Sequence, residues 1–230
     1  RIRCYCDTPS TRDPVEMGQR LKTRVEQGFT FLKMDVGISL IQDMPGAISA
    51  PHGMLETRTV MHPFTGIQLS DKGIAALCDY VATVREIVGY DVPLAADHFG
   101  HINLESCIRL AQSLDRFNLA WLEDMIPWQF TDQYVRLAHS CATPICTGED
   151  IYLKEGFKPL FEKRAIAIAH HGEFTDQLFK EGRLDAVRAF LERTRAKIRA
   201  ASLERSVLVG VSTHMPAAVA AIEEAGWEVD

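Results

Sequence analysis

Short apolar runs alternate along the chain with longer stretches whose apolar residues recur every three to four positions. Ile2–Cys6, Thr30–Asp35, Pro93–Asp97, Leu119–Glu123, Pro144–Gly148, Ala165–Ala169 and Val207–Val211 read as strands. Between them, Pro14–Gln27, Asp71–Gly89, Leu104–Phe117, Asp132–Cys141, Glu155–Lys163, Leu184–Ala201 and Pro216–Ala225 read as helices. Trp227–Val229 reads as the start of another strand. Local chemistry marks several ends. Asp13 is the expected cap of the first helix, with Pro14 in its first turn and Gly28 closing it. Ser70 or Asp71 caps the second. The 37–70 stretch has no sustained period and carries Pro45, Gly46, Pro51, Gly53, Pro63 and Gly66, so it is expected to be a long loop excursion.

Seven strand–helix units in series predict a parallel α/β sheet. No G-x-G-x-x-G follows the first strand, which argues against a doubly wound dinucleotide fold. A (β/α)8 TIM-type barrel is expected, as a single domain over 1–230, truncated or incomplete after about seven units. Arg1-Ile2-Arg3 opens the chain with neither an initiator Met nor an apolar signal region, as a piece cut from something longer would.

Composition narrows the partners. The 230 residues are 47% hydrophobic and 24% charged, with net charge −6, which is ordinary for a globular protein. There is no basic block for nucleic acid and no run of about 18 apolar residues for a membrane. Six cysteines form no paired C-x-x-C pattern, so buried reduced thiols of a cytoplasmic protein are expected.

Three strands end in an acid: Leu94-Ala95-Ala96-Asp97, Ala120-Trp121-Leu122-Glu123, and Ile145-Cys146-Thr147-Gly148-Glu149. Asp97, Glu123 and Glu149 are each 26 positions from the next, which gives one carboxylate per βα unit. At a barrel mouth such acids repel one another unless a cation sits among them, and an all-oxygen set suits Mg2+. The alternative for any one of them is a cap on the following helix.

From Cys4 to about Ala165 the chain resembles the barrel domain of the enolase superfamily, in its mandelate racemase/muconate lactonizing branch. The resemblance rests on Gly28–Gly37 as the second strand, on Trp121-Leu122-Glu123-Asp124-Met125-Ile126-Pro127 against W-x-E-[ED]-P-x-P, and on Thr147-Gly148-Glu149 against A-G-E. It implies Asp97, Glu123 and Glu149 as Mg2+ ligands. It also implies a lyase that abstracts the proton next to a carboxylate to give a metal-stabilised enediolate, with a sugar acid (an aldonate) as substrate. Members of the branch suggest a homo-oligomer. Their N-terminal capping domain is expected to be absent from these 230 residues.

The bases depart from the pattern. Where the branch carries K-x-K, this chain has Lys33-Met34-Asp35. Asp35 is expected either to pair with Lys33 or to accept a proton itself. Lys33, which matches the first Lys of K-x-K, is expected to take part in proton transfer; His98, beside Asp97, and His214, at the tip of the seventh strand, are the further candidates, and His101, His170 and His171 are weaker ones. Loss of the second Lys favours dehydration over racemisation or cycloisomerisation. Beyond about residue 170 the chain departs from the family, so 170–230 is expected to be an atypical tail. Two further readings stay open: a barrel lyase whose metal is held by histidines, and a catalytically impaired metal-binding barrel.

Overall fold

A computed structural model describes residues 5–51, 64–97, 102–151 and 153–169. Helix α1 spans Pro14–Glu26 and starts where the sequence says it should. The Asp13 carboxylate accepts N–H bonds from Val15 and Glu16, and Pro14 sits where a missing N–H costs nothing. Gly28, at φ +96°, turns the chain out of the helix. Strand β1 is Cys6–Thr8, and β2 is Leu32–Asp35. The sequence placed the first strand at Ile2–Cys6. The described strand lies later because β2 sets the ladder: Cys6, Asp7 and Thr8 pair with Leu32, Lys33 and Met34, so two polar residues enter a strand that hydrophobicity alone ended at Cys6.

The 37–70 excursion is not structureless where it is described. It holds a 3-10 turn at Ile38–Leu40 and an antiparallel pair, β3 (Ile48–Ser49) with β4 (Gln68–Leu69). A two-residue ladder is too short to leave an alternating pattern in the sequence. Ile41, Ala47, Ile67 and Leu69 are buried in the main core. The join to helix α2 (Asp71–Val88) is tight, since the Ser70 hydroxyl accepts from Gly73 N–H at 3.1 Å and donates to the Ala47 carbonyl at 3.0 Å. Ser70, not Asp71, is therefore the cap.

The remaining elements are β5 (Leu94–Asp97), α3 (Leu104–Leu114), β6 (Leu122–Glu123), α4 (Thr131–Ala138), β7 (Ile145–Thr147), α5 (Lys154–Glu162) and β8 (Ile168–Ala169). The main sheet is wholly parallel, in the order β1-β2-β5-β6-β7-β8. A doubly wound sheet reverses its strand order at a switch point, and this order never reverses, as in a barrel.

The two faces of the sheet differ. Leu32, Met34, Leu94, Ala96, Leu122 and Ile145 join the large core shared with the helices. Tyr5, Phe31, Ala95, Trp121 and Cys146 form a separate inner cluster. With period two along each strand, Lys33, Asp97 and Glu123 point to that inner side, one step nearer the C-terminal strand ends.

Candidate metal centre

Residues of that inner face form one charged group. Lys33 is 2% exposed, Asp97 1% and Glu123 0%. The Lys33 ammonium lies 2.5 Å from Asp97 Oδ2 and 3.4 Å from Glu123 Oε2. Glu123 Oε2 also accepts the Trp121 indole N–H at 2.7 Å. Register explains the meeting. Lys33 is level with Ala95 and Asp35 with Asp97 across β2 and β5, so the long lysine side chain reaches the neighbouring strand tip.

The pairing of Lys33 with Asp35 suggested by the sequence is thus replaced by pairing with Asp97 and Glu123. The reason is solvation. Asp97 and Glu123 are shut away from water and need a counter-charge, whereas Asp35 is part-exposed at its strand end. Burial alone would lower the pKa of Lys33, but Tyr5, Asp97, Glu123 and Asp7 outweigh it and raise it.

Two acids that sequence reasoning did not single out belong here. Asp7 pairs in register with Lys33 on β1, and its charge contributes to the upward shift of Lys33. The signal for it, an acid at a strand tip, was hidden by the early strand end at Cys6. Asp124 follows Glu123, and in a regular strand it would face away from it. Its backbone is left-handed instead, at φ 49°. This turn brings a ligand oxygen into a group with Asp97 and Glu123 in which all three atoms lie within 4.8 Å of one another. Thr147 Oγ1 donates to Asp124 Oδ1 at 2.6 Å. Burial first, then the charges of Asp97, Glu123 and Glu149, push the Asp124 carboxyl up to about 8 against the bond from Thr147.

Glu149 lies outside that close group, although its charge is felt at Asp124. Glu123 is level with Cys146, so Glu149 falls three positions beyond that level, past Gly148 at φ 137°. Of the remaining candidates, Asp35 ends β2 and bears on the Tyr80 hydroxyl, whose pKa is pushed up to about 12 by burial and then by Asp35. His98, His101, His170, His171 and His214 lie outside the described residues, as does the 170–230 tail.

The donor set fits a hard divalent cation. One lysine faces several carboxylates, and the charges of Asp97, Glu123 and Glu149 add to burial in raising the Asp124 carboxyl. A spread of 4.8 Å compares with about 4.2 Å across a Mg2+ oxygen shell and about 5 Å across one of Ca2+. All-oxygen ligation does not suit zinc or copper. The histidine-ligated alternative rests on His170, His171 and His214, which lie outside the described residues.

The chain resembles known proteins over about three quarters of its length. Residues 16–171 match the family model described as "Enolase C-terminal domain-like". The D-xylonate dehydratase of Haloferax volcanii is 28% identical over 170 residues, covering 73% of this chain and 37% of that protein. A mandelate racemase/muconate lactonizing enzyme-like protein from Rubrobacter xylanophilus superposes with a TM-score of 0.58 at 28% identity, over 74% of this chain and 43% of that one. The 3,6-anhydro-D-galactonate cycloisomerase from Zobellia galactanivorans gives 0.53 at 26% identity, over 74% of this chain and 38% of that one. The chain therefore spans less than half the length of these relatives.

Proposed function

The chain belongs to the enolase C-terminal domain-like family, and on that premise we propose that it carries the barrel of a Mg2+-dependent lyase that dehydrates an acid sugar. The observation that carries the reading is the close group of Asp97, Glu123 and Asp124 at the strand tips, with Lys33 paired to Asp97 and Glu123. The likeness to a D-xylonate dehydratase supports an aldonate as substrate.

Asp97 and Glu123 would hold the cation, with Glu149 as the third ligand that the resemblance implies and Asp124 as a close neighbour. Bound there, Mg2+ supplies positive charge where a substrate carboxylate gains a second negative one. Lys33, paired with Asp97 and Glu123, would bind and orient the substrate carboxylate and offset its charge. A separate base takes the proton from the carbon beside the carboxylate. An acid then returns a proton to the departing hydroxyl on the next carbon, so that water leaves and a carbon–carbon double bond forms. Asp35, His98 and His214 are the residues we assign to these transfers. A cycloisomerase would share the first step, and the likeness to the Zobellia galactanivorans structure favours it as the second reading. The reading also includes a homo-oligomer in the cytoplasm. The five described cysteines are unpaired, four of them buried, which suits a reducing compartment.

Incubation with D-xylonate and related aldonates, with Mg2+ and with chelator, tests this. A 2-keto-3-deoxy product that needs Mg2+ and vanishes in Glu123→Gln is the expected result. Turnover that survives chelation or Glu123→Gln overturns it. Calorimetry showing Mg2+ binding without aldonate binding identifies an impaired metal-binding barrel instead.

A further inference from the structure

We propose that Trp121 is a positioning residue whose indole N–H fixes the Glu123 carboxylate for a divalent cation. The proposal rests on the metal reading above. Trp121 immediately precedes β6 and Glu123 ends it, two positions apart in extended chain and hence on the same face, and both are buried, at 2% and 0% exposure. The indole Nε1 is 2.7 Å from Glu123 Oε2, closer than the Lys33 ammonium at 3.4 Å.

The aim of that N–H is set from three strands. The indole stacks on Phe31 at 4.9 Å with an interplanar angle of 26°, and meets Tyr5 edge-on at 5.7 Å. These rings come from the β2 and β1 sides of the inner face, and they leave the indole little freedom to turn. A glutamate carboxyl ends three rotatable bonds. Holding one of its oxygens removes rotamers that a cation would otherwise have to select against.

Packing alone does not require a tryptophan. A phenyl ring would fill the same floor without a polar atom, whereas a buried indole N–H needs an acceptor. Here the acceptor is a carboxylate of the cation-binding group. Partners of this kind, one step removed from the metal, typically change its affinity by about 10- to 100-fold.

The test is Mn2+ binding by the whole chain, followed by electron paramagnetic resonance, with Mn2+ standing in for Mg2+. Trp121→Phe is expected to weaken binding about tenfold or more. Leu122→Val, on the opposite face of β6, loosens the core without touching the donor and is expected to leave affinity within about twofold. A Trp121→Phe affinity within about twofold of the unaltered chain overturns the proposal while the metal reading stands. An unaltered chain that binds no Mn2+ overturns the metal reading and this role with it. Should Trp121→Phe not fold, the unaltered chain decides. Its Trp121 indole N–H resonance, identified by elimination with Trp128→Phe and Trp227→Phe, is expected to move on Mg2+ addition, and a resonance that stays in place overturns the proposal.

Discussion

Asp124 shows at the scale of one residue what the fold asks of its chemistry. Its carboxyl, pushed up to about 8 by burial and by Asp97, Glu123 and Glu149, keeps a proton in the folded chain that the unfolded chain releases near its usual 3.8. With the native state binding more protons, stability falls as pH rises through that window and levels off above it. Urea unfolding in chelator should therefore show a loss of stability between about pH 4 and pH 8. In Asp124→Asn that part of the loss should disappear, and a variant with the same slope as the unaltered chain contradicts the assignment. Bound Mg2+ favours the ionised form, so loading releases protons. The sequence showed the acid doublet Glu123-Asp124 but gave no reason to turn both residues to one side. That follows from a left-handed φ at Asp124, which asparagine and aspartate tolerate better than most residues. Lys33 was legible as a strand-end lysine. Its partners were not, because Asp97 is 64 positions away and Glu123 is 90.

At the scale of elements, the helix ends were legible and the excursion was not. Asp13, Ser70 and Gly28 act through bonds or φ values within a few residues of themselves, so sequence reading finds them. The β3–β4 pair joins residues some twenty positions apart, and nothing local announces it. It is held where α2 begins. A Cβ on Gly73 would stand 2.2 Å from the Ala47 carbonyl oxygen, backbone against backbone. Gly73→Ala would gain about 1 kcal/mol of helix propensity in a free helix. Here the crowding is expected to reverse the sign and destabilise by about 1–3 kcal/mol. Thermal unfolding measures this, and a raised melting temperature would show that the excursion yields without cost.

At the scale of the molecule, one buried cation joins successive βα units. Arg85, on α2 and 3% exposed, donates to the carbonyls of Phe117 at 3.0 Å, Asn118 at 2.7 Å, Gly89 at 3.2 Å and Val92 at 3.4 Å. It thereby ties the end of α2 to the entry of β5 and to the turn after α3. Arg85→Met keeps the apolar stem and deserts four carbonyls, so a loss of about 3 kcal/mol with an unchanged denaturant slope is expected. A loss under about 0.5 kcal/mol would mean that water replaces the guanidinium. The sequence alone determined the succession of strands and helices, the parallel barrel order and the strand-tip acids Asp97 and Glu123. The elements are written in short-range periods and caps, and each of the two acids closes a short apolar run. Only the tertiary structure decided that Lys33 compensates those two acids, that Asp7 and Asp124 join them and that Glu149 stands beyond their close group. Equal spacing along the chain counts residues through loops and helices of unequal length. Height in the barrel is fixed by the hydrogen-bond register between strands, which sets Glu123 opposite Cys146.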